Sequence, residues 1–211
     1  MLNKAFYILA AVAAVLLVAV YYMTRPVTIE PAPLNAAAPA TEIAGDGPVM
    51  VIEVAGQANG TIEVQLFEDI APGHVERLVT LAEQGAYDGV IFHRVIDGFM
   101  AQSGDVEFGN SAGNTTRAGS GASDMPDLAA EFSDISFERG VLGMARAASP
   151  NSANSQFFIM FAPAPHLNGQ YTVVGQVVSG LEILDQIKRG TGPNGAIVGD
   201  ADVMQSVTIR R

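Results

Sequence analysis

The feature that most constrains the fold of this chain is a short alternating segment, Val90–Ile96. Alternation of apolar and other residues predicts a β-strand in which Phe92, Arg94 and Ile96 point to one face. A guanidinium on an otherwise apolar face is unfavourable unless its N–H groups find acceptors. Two interpretations follow. Arg94 reaches water from an edge strand, or it is held as a cationic donor beside an apolar pocket.

Several other strand-like runs accompany this segment. Asn59-Gly60 is typical of a hairpin turn and joins the first two runs. A helix is expected over residues 71–84, capped by Asp69 and ended by Gly85, because apolar residues recur there at helical spacing. Many short strands with two helices are typical of a closed β-barrel. The predicted strands cover residues 49–54, 61–67, 90–96, 140–145, 156–161, 171–178 and 204–209, with a second helix over residues 181–189.

Four segments stand out for their order and composition. They read FHRVIDGFMAQSGD (92–105), GVLGMARA (140–147), NSQFFI (154–159) and LNGQYTVVGQV (167–177). Together they resemble the cyclophilin family of peptidyl-prolyl cis-trans isomerases, over residues 48–211. The resemblance implies a mainly β fold, a closed eight-stranded antiparallel β-barrel capped by two α-helices. It also implies an enzyme that acts on peptide bonds preceding proline and needs no cofactor.

The same resemblance indicates the residues of the site. It implies that Arg94 and Gln102 are catalytic, with Gln102 orienting the arginine. Phe157 and Phe158 are neighbours on a strand and must face opposite ways, and the resemblance puts Phe158 in the groove. The other residues implied to contact the substrate are Phe99, Met100, Ala145, Arg146, Ala147, Gln156, His166, Leu167 and Tyr171.

At four positions the chain departs from the pattern of that family. His166 stands where many members carry Trp, on which cyclosporin binding depends, so we expect weak affinity for cyclosporin. Tyr171 replaces a frequent His but keeps a hydroxyl and a flat apolar face, so activity is expected to be retained. Arg146 replaces a frequent Asn whose contact is largely through the backbone. Asp97 replaces a frequent Pro, and the sequence offers no functional interpretation of that change.

Rotation about an X-Pro bond suits a site of this kind. The barrier is about 18–20 kcal/mol because amide resonance must be broken, but no covalent bond is cleaved. A donor near the prolyl nitrogen favours the twisted amide, while an apolar slot holds the proline ring. The alternative is a non-catalytic chaperone or scaffold that binds proline peptides in the same groove. Arg94 and Gln102 favour the enzyme, because a binder gains little from a transition-state donor.

The N-terminal region predicts a membrane segment. Residues 5–23 carry no charge, and a helix of this length at about 1.5 Å per residue nearly spans a bilayer. We therefore expect an N-terminal transmembrane anchor or signal sequence over residues 1–24 and a Pro/Ala-rich linker over residues 25–47. An anchor is favoured because the apolar run is longer than that of a signal peptide. The expected location is the bacterial inner membrane with the catalytic domain in the periplasm, the alternative being a soluble periplasmic protein after cleavage.

Composition and spacing argue against other classes of function. A net charge of −11 without a basic run argues against a nucleic-acid partner, and the absence of cysteine excludes disulfides and thiol nucleophiles. His74, His93 and His166 lack the spacing of metal ligands, so no metal is expected, and His93 is predicted to be a hydrogen-bonded core residue. Ser111 lies in a Gly-x-Ser-x-Gly match without the strand and helix that a hydrolase needs. We expect the catalytic domain to be monomeric.

Overall fold

The computed structural model describes residues 47–211. The predicted membrane segment and nearly all of the predicted linker lie outside the described residues. Within residues 47–211, no helix has both the length and the apolar character needed to cross a membrane.

One antiparallel sheet of nine strands forms the body of the described region. Its strand order is β3-β9-β1-β2-β8-β6-β7-β5-β4, and the sheet curls around an apolar core. Two α-helices accompany it, α1 (Pro72–Glu83) and α2 (Leu181–Gln186). The strands are β1 (Val49–Ala55), β2 (Gly60–Leu66), β3 (Val90–Ile91), β4 (Arg94–Ile96), β5 (Met100–Ser103), β6 (Val141–Met144), β7 (Phe157–Met160), β8 (Val173–Ser179) and β9 (Val203–Arg210).

The predicted continuous strand over residues 90–96 is wrong, because the structure divides it into β3 and β4, and the described sheet therefore has nine strand segments. The chain is interrupted at Phe92 and His93, whose backbone groups bond to other segments. The amide of Phe92 donates to the carbonyl of Asp202, and the carbonyl of His93 accepts from the amide of Ile197. The two short strands therefore pair at opposite edges of the sheet, β3 with β9 and β4 with β5. The other predicted strands agree with the structure within two residues at each end.

Two apolar clusters divide the interior. The larger one fills the inside of the curled sheet and contacts the buried face of α1, and it contains Phe157. The smaller one contains Phe158 and is surrounded by Phe99 and Tyr171, which are partly buried. The opposite orientation of the two adjacent phenylalanines follows from the period of two along a strand. The smaller cluster is the part of the fold on which the site is built.

The helix α1 begins without the predicted cap. Its N-cap is Ala71, not Asp69, and no side chain within the segment caps it. Instead, the carboxylate of Glu131 accepts the amides of Gly73 and His74 and is 2.5 Å from His74 Nδ1. At the other end, Gly85 has a φ of 68°, the left-handed conformation expected after a helix. A distant carboxylate thus satisfies the first turn of α1.

We predict that Glu131→Gln lowers the free energy of unfolding by about 1–2 kcal/mol at pH 7, because it weakens a charged cap and a partly buried contact with His74. Partial burial raises the pKa of Glu131, but the hydrogen bonds from His74 and the two amides outweigh it and hold the pKa below its ordinary value of 4.5. The stabilisation is therefore present above pH 4.5 and is lost as the pH falls through the lower folded-state pKa.

Chemical denaturation between pH 3 and 7 measures this difference, with Glu138→Gln as the control, since Glu138 is exposed and its side chain has no hydrogen-bond partner in the described region. The difference in the free energy of unfolding between Glu131→Gln and the unmutated domain should become smaller below pH 4.5. A difference that stays constant with pH contradicts the charged-cap account.

Candidate active site

Arg94 begins β4 and is only half buried. Its Nη1 donates to Gln102 Oε1 at 3.1 Å, its Nε to the Asn194 carbonyl at 3.0 Å, and its Nη2 to Asn194 Oδ1 at 3.1 Å. Burial lowers the pKa of Arg94 from its ordinary value, but a guanidinium stays charged at neutral pH. The guanidinium is therefore fixed by oxygen atoms from the adjacent strand and from a segment 100 residues away, and it keeps its positive charge.

A chain of side-chain amides extends from the arginine to the backbone. Gln102 Nε2 donates to Gln156 Oε1 at 3.0 Å, and Gln156 Nε2 donates to the Gly121 carbonyl at 2.8 Å. The amide of Gly121 in turn donates, at 2.9 Å, to the buried carboxylate of Asp105. This carboxylate also accepts hydrogen bonds from three other backbone amides. Each of the two glutamine side chains can hydrogen-bond to both of its neighbours in only one orientation of its amide group. This constraint fixes the rotamer of Gln102.

Strand register explains why these residues meet. Arg94 on β4 lies opposite Gln102 on β5, Gln102 lies opposite Phe158 on β7, and Phe158 lies opposite Gly143 on β6. A Cβ at position 143 would lie 2.6 Å from ring atoms of both Phe137 and Phe158. The absent side chain at Gly143 leaves room for these two rings, which stack with centroids 5.7 Å apart.

An apolar cavity of about 310 Å³ adjoins this row of residues. Phe99 stacks on His166, with ring centroids 5.7 Å apart, and Phe158 meets Tyr171 edge-on at 5.8 Å. Ten of the twelve residues predicted for the site line this one cavity. They are Arg94, Phe99, Met100, Gln102, Ala145, Arg146, Phe158, His166, Leu167 and Tyr171.

The other two predicted residues, Ala147 and Gln156, line an adjoining cavity of about 390 Å³. The two cavities share Gln102, Ala145 and Arg146. More of the lining residues of this second cavity are polar, and they come from the loop between β5 and β6, from residues 145–147 and from residues 152–156. The predicted residues therefore line two joined hollows, which we call the groove.

Sequence reasoning missed Asn194, which holds Arg94 through both its carbonyl and its side chain. It lies 100 residues further along the chain and has a φ of 54°. Pro193-Asn194-Gly195 is a turn signal that indicates such a conformation, but nothing in it indicates an arginine partner. Ser111 lies in a loop outside any strand or helix, so the structural context of a hydrolase nucleophile is missing there.

His93 is buried, as expected, but the prediction that it is hydrogen-bonded is wrong. Neither ring nitrogen has a partner in the described region, and the ring lies against Gly119. Burial, opposed by the nearby charge of Asp105 and assisted by that of Arg94, lowers the pKa of His93 to about 4. The ring is therefore neutral at pH 7. Among residues 47–211 no cluster of three His, Asp or Glu side chains has the arrangement of a metal site.

We predict that Gln102→Ala loosens the side chain of Arg94, because Nη1 loses its oxygen acceptor while Nε and Nη2 keep theirs. Side-chain ¹⁵N relaxation at Arg94 Nε should show greater mobility on the picosecond to nanosecond timescale. Gln57→Ala is the control, since Gln57 is exposed and bonds only to the Gln186 carbonyl. Equal mobility in all three proteins argues against an orienting role for Gln102.

Comparison with known proteins agrees with this geometry. Residues 49–211 match the family model of the cyclophilin type peptidyl-prolyl cis-trans isomerases. A probable peptidyl-prolyl cis-trans isomerase of Brucella suis is 53% identical over 153 residues, which cover 72% of this chain and 78% of that protein. The peptidyl-prolyl cis-trans isomerase CYP18-1 of Arabidopsis thaliana is 42% identical over 135 residues, covering 64% of this chain and 81% of that protein.

Solved structures are also similar. A cyclophilin type isomerase of Cryptosporidium parvum, crystallised in the presence of the dipeptide Ala-Pro, gives a TM-score of 0.65 at 27% identity and covers 77% of this chain and 99% of that chain. The cyclophilin AquaCyp293 of Hirschia baltica, at 22% identity, gives a TM-score of 0.62 over 76% of this chain and 73% of that chain, and shows the fold alone. The chain belongs to the cyclophilin-type peptidyl-prolyl cis-trans isomerases, and its activity is the isomerisation of peptide bonds that precede proline.

Proposed function

We propose that this isomerase acts on proline-containing segments of exported or envelope proteins and that Arg94 is its catalytic residue, oriented by Gln102. The observation that supports the assignment is the position of Arg94. Its guanidinium lines the same cavity as the four apolar residues Phe99, Met100, Phe158 and Leu167. A proline ring held by these four side chains would lie next to a fixed positive charge.

The energetic requirement on the site is modest. Uncatalysed exchange takes tens to hundreds of seconds. Reaching milliseconds requires about 10⁴–10⁵-fold acceleration, or roughly 6–7 kcal/mol of preferential stabilisation of the transition state. In the twisted amide the prolyl nitrogen loses conjugation and gains a lone pair. A donor aimed at that nitrogen interacts more strongly with the twisted than with the planar amide, which is the condition for catalysis.

The geometry of Arg94 suits this role because its orientation is set before substrate arrives. Bonds to Gln102 and Asn194 hold the guanidinium plane, so little reorganisation is needed during the reaction. Preorganised donors of this kind contribute about 3–4 kcal/mol in other enzymes. The apolar walls supply the second contribution, since they hold the ring while the preceding carbonyl rotates and exclude water from the contact with Arg94.

The remaining members of the groove would bind the peptide on either side of the proline. Ala145 and Arg146 line both cavities and Ala147 lines the polar one, so this segment can accompany an extended peptide along the groove. Gln156 lines only the polar cavity, and His166 and Tyr171 line only the apolar one, so they would contact different parts of the peptide. The Ala-Pro dipeptide present with the Cryptosporidium protein supports proline peptides as the ligand class here.

Three further properties belong to the proposal. We propose that the curled sheet closes into an eight-stranded barrel when β3 and β4 are counted as one interrupted strand, because these two edge strands are separated only by Phe92 and His93. We propose weak cyclosporin binding, since His166 stands at the groove where many relatives have Trp. We also propose a monomeric catalytic domain that needs no cofactor.

The competing function is a chaperone or scaffold that binds proline peptides without turning them over. We predict that Arg94→Ala lowers kcat/KM for an X-Pro peptide by about 10²–10³-fold, while peptide affinity changes less than about threefold, because the donor contributes mainly to the transition state. Arg94→Lys should restore little, since an ammonium cannot make the same planar contacts with Gln102 and Asn194.

Exchange spectroscopy by NMR measures turnover, and calorimetry measures peptide affinity. The control is Arg139→Ala, which removes an arginine paired with Asp185 outside the groove and should leave both quantities unchanged. Peptide binding by the unmutated domain without any turnover would support the chaperone instead.

We also propose that the chain is held in the bacterial inner membrane by residues 5–23, with the catalytic domain in the periplasm. The support is the length of the uncharged run. We predict that protein purified from native membranes retains Met1 or its immediate neighbours and stays in the membrane fraction after a high-salt wash. N-terminal sequencing of that protein, with detergent extraction as the control, checks this. An N-terminus beginning shortly after Ala40 in a soluble fraction would support the cleaved, periplasmic form.

A further inference from the structure

We propose that Arg146 is a specificity-determining residue, and that it favours substrates with an acidic side chain on a residue next to the proline. The inference rests on the proposed function, because it places the proline ring in the cavity beside Arg94. It concerns which proline segments are turned over fastest, a property that the catalytic role of Arg94 does not determine.

The pairing of arginines in the structure is the first observation. Arg139, Arg189, Arg210 and Arg211 each contact a carboxylate, at distances of 2.7 to 2.9 Å, and none of them lines the groove. Arg94 and Arg146, the two arginines of the groove, have no carboxylate within salt-bridge distance among residues 47–211. Arg77 and Arg117, which line neither cavity of the groove, also lack a carboxylate partner among these residues, so what distinguishes Arg94 and Arg146 is that their unneutralised charges lie at the groove of a chain with a net charge of −11.

The second observation is that Arg146 is held in place by neutral groups. Its guanidinium donates to the carbonyls of Gln170, Ala147 and Ala148 at 3.0 to 3.3 Å. It also lies over the ring of Tyr171, with the central carbon 4.5 Å from the ring centroid. Two of the departures from the family pattern, the arginine and the tyrosine, therefore contact each other. Neutral partners fix the position of the positive charge without cancelling it.

The guanidinium also keeps a donor for a ligand. The guanidinium has five N–H groups. Nε and Nη2 each donate one hydrogen bond to the Gln170 carbonyl, and Nη1 donates one each to the carbonyls of Ala147 and Ala148. One N–H of Nη2 has no partner in the described region. An arriving carboxylate can accept it in a charge-assisted hydrogen bond without displacing the others.

Position decides which part of the substrate would meet this charge. Arg146 lines both the apolar cavity and the adjoining polar one, so it lies at their junction. A peptide whose proline occupies the apolar cavity places a neighbouring residue at that junction. The apolar cavity has no carboxylate in its lining, and the polar cavity has one, Asp127, which accepts a hydrogen bond from Asn154 at 3.1 Å. An acidic substrate side chain would therefore meet Arg146, with Asp127 as the one opposing charge.

The experiment measures kcat/KM by NMR exchange for two peptide series, Ala-X-Pro-Phe and Ala-Ala-Pro-X, with X as Glu, Gln or Lys. We expect Glu to exceed Lys by about five- to tenfold at low ionic strength in at least one series, with the ratio approaching one in about 0.5 M salt. Arg146→Gln should bring the ratio close to one at all salt concentrations. Arg146→Lys should keep most of it, because the charge remains.

Controls separate this effect from a purely structural one and from bulk charge. If Arg146 only braces the turn at Gln170, Arg146→Gln will slow all peptides equally and leave the Glu/Lys ratio unchanged, which overturns the proposal. Arg139→Gln makes the same change in net charge outside the groove and should preserve the ratio. A ratio near one in the unmutated domain also overturns the proposal. The catalytic role of Arg94 is tested separately by turnover of the Gln peptides in Arg94→Ala. Loss of that turnover supports the role, and unchanged turnover contradicts it.

Discussion

The site depends on the way in which a single guanidinium is held. Arg94 bonds to oxygen atoms of Gln102 and Asn194, and yet it faces a cavity whose other walls are largely apolar. Partly burying this charge has a free-energy cost, because it loses water, and the bonds to neutral oxygen atoms offset that cost without neutralising the charge. Gln102 and Asn194 therefore both offset the cost of partly burying Arg94 and fix the orientation of its guanidinium. A freely rotating arginine would have to be ordered during the reaction, which would reduce its effect on the barrier.

The sheet supplies the geometry for this arrangement. Because β4, β5, β7 and β6 are neighbours in that order, the register brings Arg94, Gln102 and Phe158 side by side and puts Gly143 at the end of the row. The catalytic donor, the side chain that orients it and one wall of the apolar cavity are therefore set by backbone pairing. A slip of one residue between any two of these strands would turn one of these side chains to the opposite face.

The parts of this fold that could be predicted from sequence are the ones that depend on local periodicity. Alternation identified most strands and assigned Phe157 and Phe158 to different apolar clusters. The resemblance of four segments to one family then indicated residues that the structure gathers around two joined cavities. The features that were missed depend on contacts between distant segments. Glu131 caps α1 from 57 residues away, Asn194 holds Arg94 from 100 residues away, and backbone bonds of Phe92 and His93 interrupt a strand whose pattern is continuous.

The central claim is that a proline ring occupies the apolar cavity with its nitrogen facing Arg94. A crystal structure of residues 47–211 with a bound X-Pro peptide tests it most directly. The account predicts the ring in contact with Phe99, Met100, Phe158 and Leu167, and the guanidinium of Arg94 within about 4 Å of the prolyl nitrogen or the adjoining carbonyl, the range in which a charged donor acts strongly. A peptide bound with its proline outside this cavity, or with Arg94 turned away from the X-Pro bond, would contradict it.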